Sequence, residues 1–393
     1  MRIFYAAGAS PNAYDIGHSE LWKRNLFDSL VAMGHEVIPF SMDVTAHFTR
    51  YRNFKTAPAE RAKFMAYREE LQEALLRYIA AAHAARPVEL FFSYFWSEIA
   101  EPATIDRIRE LGITTVNWYC NGSYQFDLVA QLAPHYDWCL VPEKFRLAGY
   151  RAAGARPLYC QEAANPAVYH PFDVEREFDV TFVGQAYGER PAYVRHLLDS
   201  GIDVRVWGYG WERFVPGAGE KAAMSPLEKA GRMGRKLLTA EGRTEAARRF
   251  RTFLRGGGSP VVELPAEIAG GVLSDEEMIR MYSRSKINLG FSTCGDTHAG
   301  GERIVQVRLR DFEVPMSGGF YMVEYMEELE EFFAIGKEVV CYEGPEDLAE
   351  KIRYYLSHDA EREAIRRAGH ERCLRDHTWQ RRFEAAFREM GLA

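Results

Sequence analysis

The segment RIFYAAGASPNAYDIGHSELWKRNLFDSLVAMGHEVIPF, residues 2–40, decides the fold. Residues 2–7 form a short apolar run closed by Gly8, the pattern of a buried strand. A polar loop, 9–18, follows. Then Leu21, Leu26, Leu30 and Met33 recur on one helical face, with Ser19 expected as the N-cap and Gly34 as the stop. HEVIPF (35–40) reads as a second strand. Strand, loop, helix and strand in this order open a doubly wound α/β domain.

The alternation continues outward. Residues 59–85 read as a long helix, 89–95 (ELFFSYF) as a buried strand, PATIDRIREL as a helix ending at Gly112, and ITTVNWYC as a strand. DWCLVP (137–142) is a further strand, FRLAGYRAAG a helix ending at Gly154, and ARPLYCQEAAN a strand with its loop. Short apolar strands between helices predict a mostly parallel sheet covered on both faces. The polar stretch 165–179, with two prolines, reads as a linker. The pattern then restarts at DVTFVG (179–184) and runs through SDEEMIRMYSRS, where Ser274 and Glu277 make a capping box, KINLGFS, RDFEVPMSGG and FYMVEY. The expected organisation is a first domain over 1–168 and a second over 175–377, two Rossmann-like α/β units facing a cleft.

Composition narrows the function. The 393 residues carry a net charge of −7, with 47% apolar and 27% charged residues, so no global basic field attracts nucleic acid. The six cysteines are scattered without a Cys-x-x-Cys pair, which argues against a zinc site or a disulfide framework and suits a reducing cytoplasm. No segment has the ~20 apolar residues of a membrane span. The interruption at 213–256 holds eleven Lys or Arg against four Glu. It is either a solvated helical insertion or a basic surface for an anionic contact, including a peripheral one at the inner membrane face.

Two domains in series place ligand groups on the loops that leave the strands. After DVTFVG come Gly184, Gln185, Tyr187, Gly188 and Arg190, with Pro191 at a helix start. This is either an ordinary tight turn or a phosphate seat with a cationic side chain. In VRLRDFEVPMSGGFYMVE, Arg308, Arg310, Asp311 and Glu313 precede Gly318 and Gly319. The arginines suit a diphosphate and the carboxylate a ribose; the other reading is a surface ion-pair network. The glycine-rich loop 292–306 brings Asp296 and His298, and His18 follows the first strand. Asn121, Tyr124 and Asp127 sit at another strand end as candidates for sugar hydroxyls.

On SDEEMIRMYSRSKINLGFS and the run from RDFEVPMSGGF to HTWQRR, together with FVGQAYGERPAYVRHL and NPAVYHPFD, the chain closely resembles CgeB-like glycosyltransferases over about residues 160–385. These belong with the group-one glycosyltransferases of GT-B fold. The resemblance implies a nucleotide-sugar domain at the C-terminal side and an acceptor-side domain at the N-terminal side. The helix 378–393 would cross back to the first domain. Glu313 matches the glutamate that holds the nucleotide ribose, Gly318 and Gly319 the turn beside it, and Arg190 the basic residue at the diphosphate. Where many relatives carry a first glutamate, this chain has Val305.

The expected activity is metal-independent transfer of a hexose-type sugar, with retention, from a nucleotide diphosphate sugar to a hydroxyl-bearing acceptor, without a cofactor. His18, Arg190 and Arg310 are the catalytic candidates. Gly184, Gln185, Arg190, Arg308, Arg310, Glu313, Gly318 and Gly319 are the donor-binding ones. The alternatives are a non-catalytic assembly protein of the same fold and a nucleotide-sugar epimerase.

Overall fold

The computed structural model describes residues 1–7, 19–42, 58–217, 262–295 and 303–392. His18, Asp296 and His298 lie outside the described residues, as does the basic insertion from 218 onward; the Tyr124 side chain does as well.

The first six-stranded sheet is built from β1 (Arg2–Ala6), β2 (Glu36–Pro39), β3 (Leu90–Ser93), β4 (Thr114–Trp118), β5 (Trp138–Val141) and β6 (Pro157–Tyr159). Its order is β2-β1-β3-β4-β5-β6 and every pairing is parallel. The connecting helices are α1 (Leu21–Ala32), α2 (Pro58–Ala85), α3 (Pro102–Glu110), the short α4 (Gly122–Gln125) and α5 (Asp127–Ala130), and α6 (Leu147–Ala152). Strands such as Leu90–Ser93 are buried at every position, as a parallel sheet covered on both faces requires. Gly34 does end the first helix turn, with φ +82. The N-cap is Glu20 rather than Ser19, and it makes no side-chain cap bond. The Glu20 amide instead donates to Asp275 of the second domain at 2.9 Å.

The second sheet holds β7 (Phe178–Val183), β8 (Val204–Trp207), β9 (Ser285–Gly290), β10 (Tyr321–Glu324) and β11 (Val340–Tyr342), in the order β11-β10-β9-β7-β8, again parallel. With it go α7 (Arg190–Asp199), α8 (Asp275–Arg284), α9 (Leu309–Met316), α10 (Pro345–Ser357) and α11 (Asp359–Asp376). Period-two alternation sends Val180, Phe182, Val204 and Val206 to one face, and Val183, Trp207, Tyr321 and Val323 to the other. The capping box of α8 forms: the Glu277 amide donates to Ser274 Oγ, and Glu277 Oε2 accepts from the Ser274 amide at 2.9 Å.

The last helix, α12 (Trp379–Met390), belongs to the first core. Its Trp379, Phe383 and Phe387 join Phe92, Trp118 and Leu140 in one apolar cluster. Trp379 packs edge-on to Trp118, with ring centres 5.2 Å apart. Among the described residues, no helix is long and apolar enough to cross a membrane.

Candidate active site

The loop after β7 is held from behind. The Gly184 amide donates to Trp207 O at 2.7 Å, the Ala186 amide to Tyr209 O at 2.8 Å, and Trp211 Nε1 to Gly184 O at 2.8 Å. At Gly208, φ is +129 and a Cβ would stand 2.4 Å from Gly184 O, so only glycine lets the two strand ends meet. This seat presents Tyr187 and starts α7 at Arg190.

Two arginines meet on the Tyr187 hydroxyl, and the charge of a third, Arg310, acts on it. Arg190 Nη2 donates to Tyr187 Oη at 2.6 Å, and Arg308 Nη1 donates to the same oxygen at 3.2 Å. The Arg190 guanidinium also stacks on the Tyr187 ring at 3.8 Å and donates to Gln185 O at 2.9 Å. Arg310 sits beneath, its Nη1 3.2 Å from where a Gly184 Cβ would be. Neither Arg190 nor Arg310 has a carboxylate within ion-pair reach among the described residues, and the Nε of each is buried without a partner there. Burial pushes the Arg190 guanidinium down to about 10, with Arg308 and Arg310 acting in the same direction, and it remains charged at neutral pH. Burial alone would raise the Tyr187 phenol, but Arg190, Arg308 and Arg310 outweigh it and hold the group below its ordinary value. The locus is a positive site with too few negative charges of its own.

The start of α9 positions two of these arginines. Arg308 is the extended N-cap residue, and its amide donates to the Asp311 carboxylate at 2.8 Å. Tyr321 Oη donates to the other Asp311 oxygen at 2.6 Å, which fixes a side chain only 1% exposed. Beside the cluster, Arg303 Nε donates to Glu189 Oε2 at 3.0 Å and Arg303 Nη2 bonds Glu324. Glu324, at the end of β10, also accepts from the Ser292 amide at 3.1 Å. Tyr187, Glu189, Arg190, Thr293, Arg303 and Glu324 line a small, open depression.

Glu313 is buried and faces the linker. Tyr169 Oη donates to Glu313 Oε1 at 2.5 Å, and Asn25 Nδ2 of α1 donates to Tyr169 Oη at 3.2 Å. Burial raises the Glu313 carboxyl, against Arg310 and the Tyr169 bond. Tyr169→Phe removes a hydrogen bond to a buried carboxylate. We expect it to lower unfolding stability by about 1.5–3 kcal/mol, read from urea denaturation.

The remaining predicted residues are placed as follows. A Cβ at Gly318, where φ is +68, would meet Pro171 Cγ at 2.8 Å, and one at Gly319 would meet Asn288 Nδ2 and Val314 Cγ1 at 2.8 Å. Close packing of the turn against the linker and α9 accounts for both glycines. Val305 pairs with Thr293 in an isolated bridge, and its side chain packs on the apolar cluster. In the first domain, Asn121 Nδ2 donates to Tyr94 Oη at 3.1 Å, and Asp127 is exposed at the start of α5. Tyr169, Glu324 and Tyr321 went unread in the sequence. Glu324 carried a usable signal, since it ends a strand at the cleft.

Residues 190–388, just over half of the chain, match the glycosyl transferase-like family. The chain belongs to that family. No curated protein matches its sequence. Among solved structures, this glycosyltransferase is similar to sucrose-phosphate synthase from Thermosynechococcus elongatus, at TM-score 0.53 and 12% identity, covering 99% of this chain and 98% of that one. It is similar to Anabaena HepE in complex with UDP-glucose, at TM-score 0.53 and 8% identity over 100% of both chains. A glycosyltransferase from Rickettsia africae aligns at TM-score 0.52 and 11% identity, covering 98% and 97%. At such identities the likeness establishes the fold of this glycosyltransferase, which is GT-B.

Proposed function

We propose that this glycosyltransferase moves a sugar from a nucleotide diphosphate sugar to a hydroxyl-bearing acceptor in the cleft between its two sheets, and that it belongs with the CgeB-like branch. The observation that carries the reading is the meeting of Arg190 and Arg308 on the Tyr187 hydroxyl, with the charge of Arg310 acting on the same phenol. Guanidinium groups gathered at one locus, with Arg190 having no carboxylate within ion-pair reach among the described residues, suit a diphosphate bidentately. A phosphate oxygen would take the place of the Tyr187 hydroxyl. The Gln185 amide, in the loop before α7, would add a backbone donor, and Gly184 would shape the seat.

The arginines would neutralise the charge that develops on the departing diphosphate, in place of a metal ion. Glu313 would hold the ribose through Oε2 while Tyr169 fixes Oε1. Val305 supplies no carboxylate to the donor sugar; Glu189 and Glu324, both within reach of the Thr293 hydroxyl that neighbours it, would take that part. Gly318 and Gly319 would shape the turn beside the ribose. Asn121, Tyr124 and Asp127 would serve the acceptor, and His18 and Arg310 would join Arg190 in the catalytic group. Transfer with retention, of a hexose and without a cofactor, is the outcome this branch favours, in the cytoplasm, with the basic insertion 213–256 as a contact for an anionic surface.

Calorimetry with UDP, ADP, GDP and dTDP and their glucose conjugates tests the reading. At least one pair is expected to bind, with Arg308→Ala weakening the diphosphate and its sugar conjugate alike. Failure of every member to bind would overturn it.

A further inference from the structure

A chain of hydrogen bonds runs from α1 of the first domain to Glu313 of the second. The buried residues of α1 are Asn25, Leu26, Ser29 and Leu30, and Asn25 has no exposed surface. An apolar side chain would fill such a place at less cost, because a buried amide needs partners. Asn25 has two. The Asn165 amide donates to Asn25 Oδ1 at 3.0 Å, and Asn25 Nδ2 donates to Tyr169 Oη at 3.2 Å. Tyr169 Oη in turn donates to Glu313 Oε1 at 2.5 Å.

The chain has a fixed polarity. A backbone N–H only donates, so the Asn25 atom that meets Asn165 is the carbonyl oxygen. The Asn25 amino group is thereby turned to Tyr169, and it also only donates. The Tyr169 oxygen therefore accepts, and its one hydrogen is directed at Glu313 Oε1. Asn165 is locked in the same way: its Nδ2 donates to Arg24 O at 2.7 Å, and its Oδ1 accepts from the Ala167 amide at 3.0 Å. A second tether lies one turn earlier, where the Glu20 amide donates to Asp275, the first residue of α8, at 2.9 Å. The start of α1 is thus fixed to the second domain directly at Asp275 and through Tyr169 at Glu313.

We infer that Asn25 is a positioning residue for the nucleotide: acting through Tyr169, it holds Glu313 in the pose that offers Oε2 to the ribose hydroxyls. This rests on the ribose reading of Glu313 given above. Asn25 itself touches no substrate. Its part is to keep the Tyr169 hydrogen on Oε1, so that the carboxylate has one oxygen occupied and one direction in which to receive a ligand. Burial favours the protonated form of Glu313, while the charge of Arg310 and the Tyr169 bond favour the carboxylate that a ribose hydroxyl needs as its acceptor. The second domain then carries the ribose group, and the first domain sets its aim. Hydrogen bonds in such a buried chain polarise one another, which lets a group two bonds away act on the carboxylate.

The test measures binding to the full chain by calorimetry. The ligands are whichever of UDP, ADP or GDP binds, its 2′,3′-dideoxy counterpart, and inorganic pyrophosphate. Wild type is expected to favour the ribose form over the dideoxy form by about 10-fold or more, the effect of a hydrogen bond to a charged group. Asn25→Leu is expected to weaken the ribose form about 5- to 10-fold while leaving the dideoxy form and pyrophosphate within about twofold, so that the discrimination largely disappears. A purely structural role for Asn25 would weaken all three ligands together or none, and either result overturns the inference. If Asn25→Leu does not fold, Asn25→Ser, which leaves room for a water at the Asn165 amide, is read in the same way. Glu313→Ala separates the two claims. If it abolishes the discrimination while the Asn25 variant keeps it, the ribose reading stands and the role of Asn25 falls. If wild type binds the ribose and dideoxy forms equally, or binds none of the ligands, the ribose reading fails and takes this inference with it.

Discussion

Arg190→Met is expected to remove most transfer activity and leave the protein folded. Losing one preorganised donor to a developing oxyanion lowers the rate by about 10²–10³-fold, so kcat/KM for the donor should fall by that factor. The side chain is 4% exposed, and a buried charge would ordinarily be essential to the fold. Its partners here are Gln185 O and Tyr187 Oη, and its Nε has none. Methionine strands no opposite charge, keeps the stack against Phe182 and Phe291 filled, and removes the desolvation cost of the guanidinium. Activity and stability should therefore separate, with the urea midpoint unchanged or higher. Loss of both together would mean that Arg190 serves packing alone.

The largest effect on stability is expected from Trp379→Ala. Trp379 has no exposed surface and sits against Trp118 and Phe383. Truncating a buried tryptophan leaves a cavity and costs about 3–5 kcal/mol, a large share of what a domain usually has. The damage should appear in the first domain, although the residue follows the second in sequence. Hydrogen exchange should show β3 and β4 losing protection while β9 and β10 keep theirs. Uniform loss across both sheets would show instead that the two units unfold as one.

Much of the fold was legible because parallel strands are short, apolar and separated by amphipathic helices. LFFS, TTVNW and WCLV each read as strands, and each is one. Local chemistry misled where tertiary contacts decide. Ser19 looked like a cap, but the Glu20 amide finds its acceptor in Asp275, 255 residues away, which no local pattern reveals. The site shows the same division. Arg190, Arg308 and Arg310 were visible as cations on loops after strands, yet Tyr187, the shared partner of Arg190 and Arg308, emerges only when β7 and α9 are brought together. Tyr169 was hidden in a stretch read as linker.

The placement of α12 has a consequence for biosynthesis. A chain leaving the ribosome makes β1 to β6 first, and domains generally fold in that order as they emerge. Here the aromatic face that closes the first core, from Trp379, Phe383 and Phe387, arrives only after the entire second unit has been translated. The nascent first domain must wait with Trp118 and Phe92 uncovered. Its companion, which takes no core residue from α12, is free to finish earlier.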